Sequence, residues 1–136
     1  MQNSELITVE SFHTAEHTTR NFEKAVKEKG FIVFGRLDHA AAAQNSGLSM
    51  PFSTVVVFGN PKMGTPNFLQ TPTLAIDLPL KALIWEDQLG KVWLSHYTSQ
   101  HLYEVIYAHH GQHYTNEMIT WLGSWYQDLV QQTCEL

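Results

Sequence analysis

Cysteine is almost missing from this chain: Cys134 stands alone among 136 residues. Within one chain that excludes a disulfide framework and a cysteine-built metal site, and a lone thiol fits a reducing cytosol. Charge is scarce too. Asp, Glu, Lys and Arg make up 15% of the residues, against about a quarter in an ordinary soluble domain. The eight Lys and Arg are scattered and outnumbered by thirteen Asp and Glu, for a net charge of −5. That excludes the clustered basic surface of a nucleic-acid partner. No apolar run approaches the roughly 20 residues that cross a bilayer, so no membrane partner is expected. The opening MQNSELITVESF lacks the basic region and apolar block of a secretory signal, which makes the expected compartment cytoplasmic. No repeat, low-complexity tract or linker interrupts residues 1–136, and the whole is expected to be a single domain with a core of ordinary size.

Aromatic residues, at 12%, are plentiful beside so little charge. Apolar surface is therefore expected to be left over for a second copy, with strand edges that a two-fold partner would cover, so the chain is expected to be a homodimer.

The pattern of elements centres on TVVVFGNPKMGTP, residues 54–66, where a β-branched and aromatic run meets an abrupt Gly-Asn-Pro stop. Before it, LITVESF reads as a strand, and Thr14 caps a helix that carries Phe22, Ala25 and Val26 at helical spacing until Gly30. FIVFGRL is a second strand, after which Asp38 stands as N-cap of a short alanine-rich helix that Gly47 closes. Residues 53–58 form the central strand, followed by a rigid connection through Pro61 and Pro66 and a weak helical signal over 67–73. KALIWED and KVWLSHY, joined at Gly90, make an antiparallel hairpin. A helix from Thr98 or Ser99 to Gly111 is expected to present Leu102, Val105, Ile106 and His109 on one face. Thr115 caps a last helix, at about 115–135, with the stripe Met118, Ile119, Leu122, Trp125, Leu129 and Val130, and with Trp121 and Tyr126 off its centre. This order predicts an α+β domain, helices packed on one face of a mainly antiparallel sheet with a helical C-terminal tail.

Three motifs carry a family resemblance: FGRLDHAAAA, VVVFGNPKMGTP and AIDLPLKALIWEDQLGKVWLSHY. In this order and at these separations they resemble the family catalogued as domain of unknown function 302 (DUF302), whose pattern runs from "DHaxxA" through "fGNPxxGt" to "DLPlkxlvxedxxGkvxvxY". The match covers about residues 5–110; the tail fits in position but is richer in Trp. The resemblance implies a TBP-like fold, a curved antiparallel sheet gripped by helices, and a homodimer. It implies no settled activity. Asp38, His39, Asn60, Pro61, Gly64, Asp77, Leu78 and Pro79 are its pattern positions here, without a role assigned to any.

The candidate site residues each have a plain structural reading. Gly59-Asn60-Pro61-Lys62-Met63-Gly64-Thr65 offers a Gly-rich turn with a cation, and such turns hold anions through backbone amides. It is not a Walker loop, because Lys62 precedes Gly64 and two prolines remove amide donors; a tight connection is the better reading. His13 with His17 and His109 with His113 are spaced i, i+4, as zinc ligands on a helix would be. His13 falls at a strand-to-helix junction, Gly111 interrupts the second pair, and neither has a carboxylate at ligand spacing. No metal and no cofactor is expected. Asp38-His39 sits where a strand hands over to a helix, near free amides. Ser95-His96 shows no triad signature. Two functions stay open: a non-catalytic module that binds or senses a small apolar ligand, with His39 near the mouth of the pocket and with Asp38, Asn60 and Lys62 as the other ligand-binding candidates, or an enzyme using His39 as acid or base and Asp38 as its orienter. The lack of a second convergent titratable group favours the first.

Overall fold

The structure, a computed structural model, describes residues 5–136. Most of the opening stretch read above for a secretory signal is described, but its first four residues lie outside the described residues. Five strands, β1 (Leu6–Ser11), β2 (Ile32–Asp38), β3 (Ser53–Gly59), β4 (Leu80–Glu86) and β5 (Val92–Tyr97), form one antiparallel sheet in the order β1-β5-β4-β3-β2. Among the described residues four α-helices accompany it: α1 (Ala15–Glu28), α2 (His39–Asn45), α3 (Pro61–Gln70) and α4 (Asn116–Cys134). The α+β architecture is the expected one.

Side chains alternate across a strand, so the central strands β3 and β4 bury every second residue over their middle, while the edge strand β2 buries none. On β3, Thr54, Val56 and Phe58 are fully buried while Ser53, Val55 and Val57 face the other way. Register carries that face across the sheet: Val56 pairs with Ala82, Thr54 with Ile84, Ala82 with His96 and Ile84 with Leu94. Onto it α1 lays Phe22 and Val26, and α4 lays Leu122, Trp125, Tyr126 and Leu129. The Phe58 ring lies at the centre, 5.3 Å from Phe22, 6.0 Å from Trp125 and 6.5 Å from Tyr126.

The expected caps are in place. The Thr14 hydroxyl accepts from the His17 amide at 3.1 Å, Asp38 from Ala41 at 2.9 Å and Thr115 from Met118 at 3.2 Å. Lys29, the C-cap of α1, pairs with Asp128 of α4 and lies 5.8 Å from the Trp125 ring centroid. Arg36 of β2 bonds both carboxylate oxygens of Glu23 at 2.9 Å and Glu16 at 3.1 Å, which holds its charge more firmly than usual.

Four expectations are corrected. The rigid connection after β3 is itself the start of a helix: Asn60 caps α3 by accepting from Lys62 at 3.1 Å, and Pro61 stands at the first helical position, where a missing N–H costs nothing. The helix expected over 67–73 is thus displaced, and Pro72 begins a 3-10 turn, Pro72–Ile76. The helix expected to Gly111 is π-helical over His101–Tyr107, and its buried residues are Tyr103 and Tyr107, with Val105 and His109 exposed. Wider turns, closed by i→i+5 hydrogen bonds, change which residues share a face. Tyr126, expected beside the α4 stripe, is 5% exposed, because the stripe meets both the sheet and the buried ring of His96.

Candidate functional site

At the β3 end of the sheet a cavity of about 690 Å³ opens between the Gly59–Pro61 step, α3, the Leu78–Leu80 segment, the π-helical segment and α4. Its walls are chiefly apolar, with Phe31, Val57, Phe68, Leu80, Leu102 and Leu122 among them. Two local features shape it. Register slips between Val33 and Gly35, so Phe34 is the unpaired residue of a bulge and stays 55% exposed; bulges re-aim side chains in this way. Its ring crosses Gly59, where a Cβ would stand 3.2 Å from Phe34 and 3.3 Å from Pro79, so any larger residue there would push these walls apart by a few tenths of an ångström. The Leu78–Pro79 peptide is cis.

Polar groups in this cavity are few. Asn67 of α3 donates to the Tyr107 hydroxyl at 3.1 Å and accepts from Gln112 at 3.4 Å, which ties α3 to the π-helical segment. Tyr103 is 5% exposed and its hydroxyl has no hydrogen-bond partner among the described residues. Burial, with the neighbouring Tyr107 adding to it, pushes the Tyr103 phenol up to about 12, so it is a neutral O–H donor at physiological pH. Burial raises Tyr107 as well, against the opposing effect of the Asn67 hydrogen bond.

Of the four residues singled out in the sequence, Asn60 lines this cavity, its side-chain oxygen already engaged in capping α3. Lys62 is exposed and outside the lining. Asp38, the N-cap of α2, and His39, its first residue, are both exposed; α2 buries no residue, and the Asp38 carboxylate is committed to the Ala41 amide. The structure therefore does not bring His39 to the cavity mouth, nor Asp38 to it as an orienter. Asp77, a pattern position without a role, bonds His110 Nε2 at 2.5 Å, while Thr73 meets His110 Nδ1 at 2.9 Å. Hydroxyl, imidazole and carboxylate are aligned, but none of the three is in the wall of this cavity; they fasten the 3-10 turn to the end of the π-helical segment. His13 Nε2 lies 2.7 Å from the Glu135 carbonyl and so carries a proton toward it. Among the described residues no group of three His, Cys, Asp or Glu is placed to hold a metal. Sequence reasoning missed Phe34, Tyr103 and Tyr107; the i, i+4 spacing of the two tyrosines was the available signal.

An antiparallel α+β unit with a ligand-sized apolar cavity at one end of its sheet is the class that fold and site define. The chain belongs to the family described as "Domain of unknown function DUF302", whose model matches residues 7–121. A crystal structure of an uncharacterized conserved DUF302 protein from Bacillus stearothermophilus superposes with a TM-score of 0.78 at 15% identity, covering 96% of this chain and 99% of that one. Two curated relatives are called fluoride-specific ion channels. FluC 1 of Brucella suis is 44% identical over 92 residues, 68% of this chain and 36% of its own length. FluC 2 of Brucella melitensis has the same identity and extent, with 34% of its length covered. The chain thus spans about a third of the curated relatives it matches.

Proposed function

We propose that this chain is a non-catalytic module that binds or senses a small apolar ligand, working as one domain, as a homodimer and in the cytoplasm. The observation that carries the reading is the 690 Å³ cavity, of a volume typical of small-molecule sites and lined by apolar groups with few polar ones. The π-helical segment supports it, since such turns are rare and recur at functional sites. Tyr103 sets the ligand chemistry: a neutral donor in an apolar wall favours a compound with one hydrogen-bond acceptor, such as a ketone or ester. The acid-base alternative at His39 has less support, because Asp38 is engaged elsewhere and His39 faces solvent.

Native mass spectrometry of protein taken directly from its host should show a mass above that of the chain, removed by organic extraction. Tyr103→Phe should weaken rebinding of the extracted compound by up to about tenfold, the worth of one hydrogen bond. A bare chain, with nothing in the extract, would remove the reading.

In the Brucella relatives the matched region is about a third of a longer chain named as a fluoride channel. We read it there as an appendage responsive to a ligand, with permeation belonging to the remainder. No described helix is long and apolar enough to cross a membrane, and an apolar cavity offers little to a small hydrated anion.

The homodimer is supported by the sheet face turned away from α1 and α4. Val55, Leu83 and Trp85 lie half-buried there beside Leu37 and Tyr97, 56% and 50% exposed, and β1 and β2 are edge strands. Light scattering at micromolar concentration should give twice the chain mass, and Leu37→Lys should return it to one. A monomeric wild type would refute this.

A further inference from the structure

A second cavity, of about 630 Å³, opens on the opposite flank, between β1, the end of β5 and α4, and shares no lining residue with the first. Ile7, Val9, Ile119 and Val130 supply apolar wall. Two buried polar side chains in its lining lack a protein partner. His96, 3% exposed, has Nδ1 at 2.8 Å from the Tyr97 carbonyl oxygen. A carbonyl only accepts, so Nδ1 carries the proton and Nε2 presents a lone pair, which no described residue bonds. Burial holds the imidazole below its ordinary pKa, so the ring stays neutral. Its orientation is fixed by stacking on Tyr126, centroids 4.1 Å apart. Ser99, 4% exposed, also has a hydroxyl without a hydrogen bond among the described residues. Neither atom is fully enclosed, so both open onto the cavity, and two such groups without a protein partner mark the place of a ligand's polar group.

The complement is narrow. Nε2 can only accept, Ser99 Oγ can donate, and a single hydroxyl answers both by donating to one and accepting from the other. Glu10 and Glu135 line the cavity and no Lys or Arg does, which disfavours an anion. We infer that this cavity is a second binding site, for a neutral alcohol or phenol with an apolar body, its hydroxyl held between His96 Nε2 and Ser99 Oγ.

The full chain, labelled with ¹⁵N at histidine, would be titrated with 4-ethylphenol, ethylbenzene and 4-ethylbenzoate while the His96 Nε2 resonance is followed. 4-Ethylphenol should bind and shift Nε2 as an acceptor, with ethylbenzene and the benzoate at least tenfold weaker. His96→Asn keeps a donor for the Tyr97 carbonyl and, being shorter, places no acceptor where Nε2 stands, and should cost at least tenfold in affinity with the circular dichroism of a folded chain. Should that variant fail to fold, Ser124→Trp, at an exposed lining position of α4, fills the space without touching His96 and should abolish binding. Equal affinity for phenol and hydrocarbon, an unmoved Nε2, binding undiminished by Ser124→Trp, or no binding of any probe at millimolar concentration would overturn the inference.

Discussion

His96 and Tyr126 lie face to face, ring centroids 4.1 Å apart and planes within 10° of parallel. The pair joins β5 to α4 across the core face and buries a tyrosine that stands at the margin of the apolar stripe. Burial works in opposite directions on the two groups, lowering the imidazole pKa and raising the phenol, and both are kept neutral by it.

The depressed His96 pKa has a definite sign in the stability curve. An imidazole in the unfolded chain titrates near 6.5, and folded His96 titrates lower. Below about pH 6.5 the unfolded state therefore binds a proton that the folded state refuses, and stability falls as pH drops from 7 toward 5, by up to about 1.4 kcal/mol per pH unit from this residue. Urea unfolding at pH 7, 6 and 5 should show this extra slope in wild type and its loss in His96→Phe. Parallel curves for the two proteins would mean that His96 is not buried neutral.

Asp38 is predicted to act as a cap and nothing more. Asp38→Ala should cost about 0.5 to 2 kcal/mol, at the low end because α2 buries no residue, and Asp38→Ser or Asp38→Asn should cost little, since each restores a capping oxygen. His39→Ala, at an exposed position, should change stability by less than about 0.5 kcal/mol. Thermal melts of the four variants test both statements together. A His39→Ala melting point several degrees below wild type would give that side chain a packing role at odds with its exposure.

Strands and caps were legible in the sequence because their causes are local: the alternation through Thr54, Val56 and Phe58, the capping oxygens of Thr14, Asp38 and Thr115, and the Gly90 turn each act over a few residues. The start of α3 was misread because Gly-Asn-Pro is equally a loop signal and an N-cap followed by proline at the first helical position. What separates the two is the packing of Phe68 into a cavity wall, a long-range matter. The π-helical turns of His101–Tyr107 have no period that an α-helical template detects. Both cavities arise where distant elements meet, and so the cavity positions of Tyr103, of Phe34 and of His96 were not legible, although Phe34 and His96 lie within the family motifs. His96 in particular reads in sequence as one more inward residue of an alternating strand.

The last prediction concerns the link between α3 and the π-helical segment. Asn67 donates to the Tyr107 hydroxyl at 3.1 Å, and Tyr107 is 5% exposed. Removing the donor leaves a buried hydroxyl without its partner, a penalty of about 1 to 3 kcal/mol, whereas removing the hydroxyl itself leaves no buried orphan on the ring. Asn67 would still accept from Gln112, at 3.4 Å. Asn67→Ala should therefore destabilise the chain more than Tyr107→Phe, and the double variant should cost less than the sum of the two, because the residues are coupled. Chemical denaturation of the three proteins gives the cycle directly. If Tyr107→Phe were the costlier change, the hydroxyl would have a partner other than Asn67, and the wall between α3 and the π-helical segment would be held by something else.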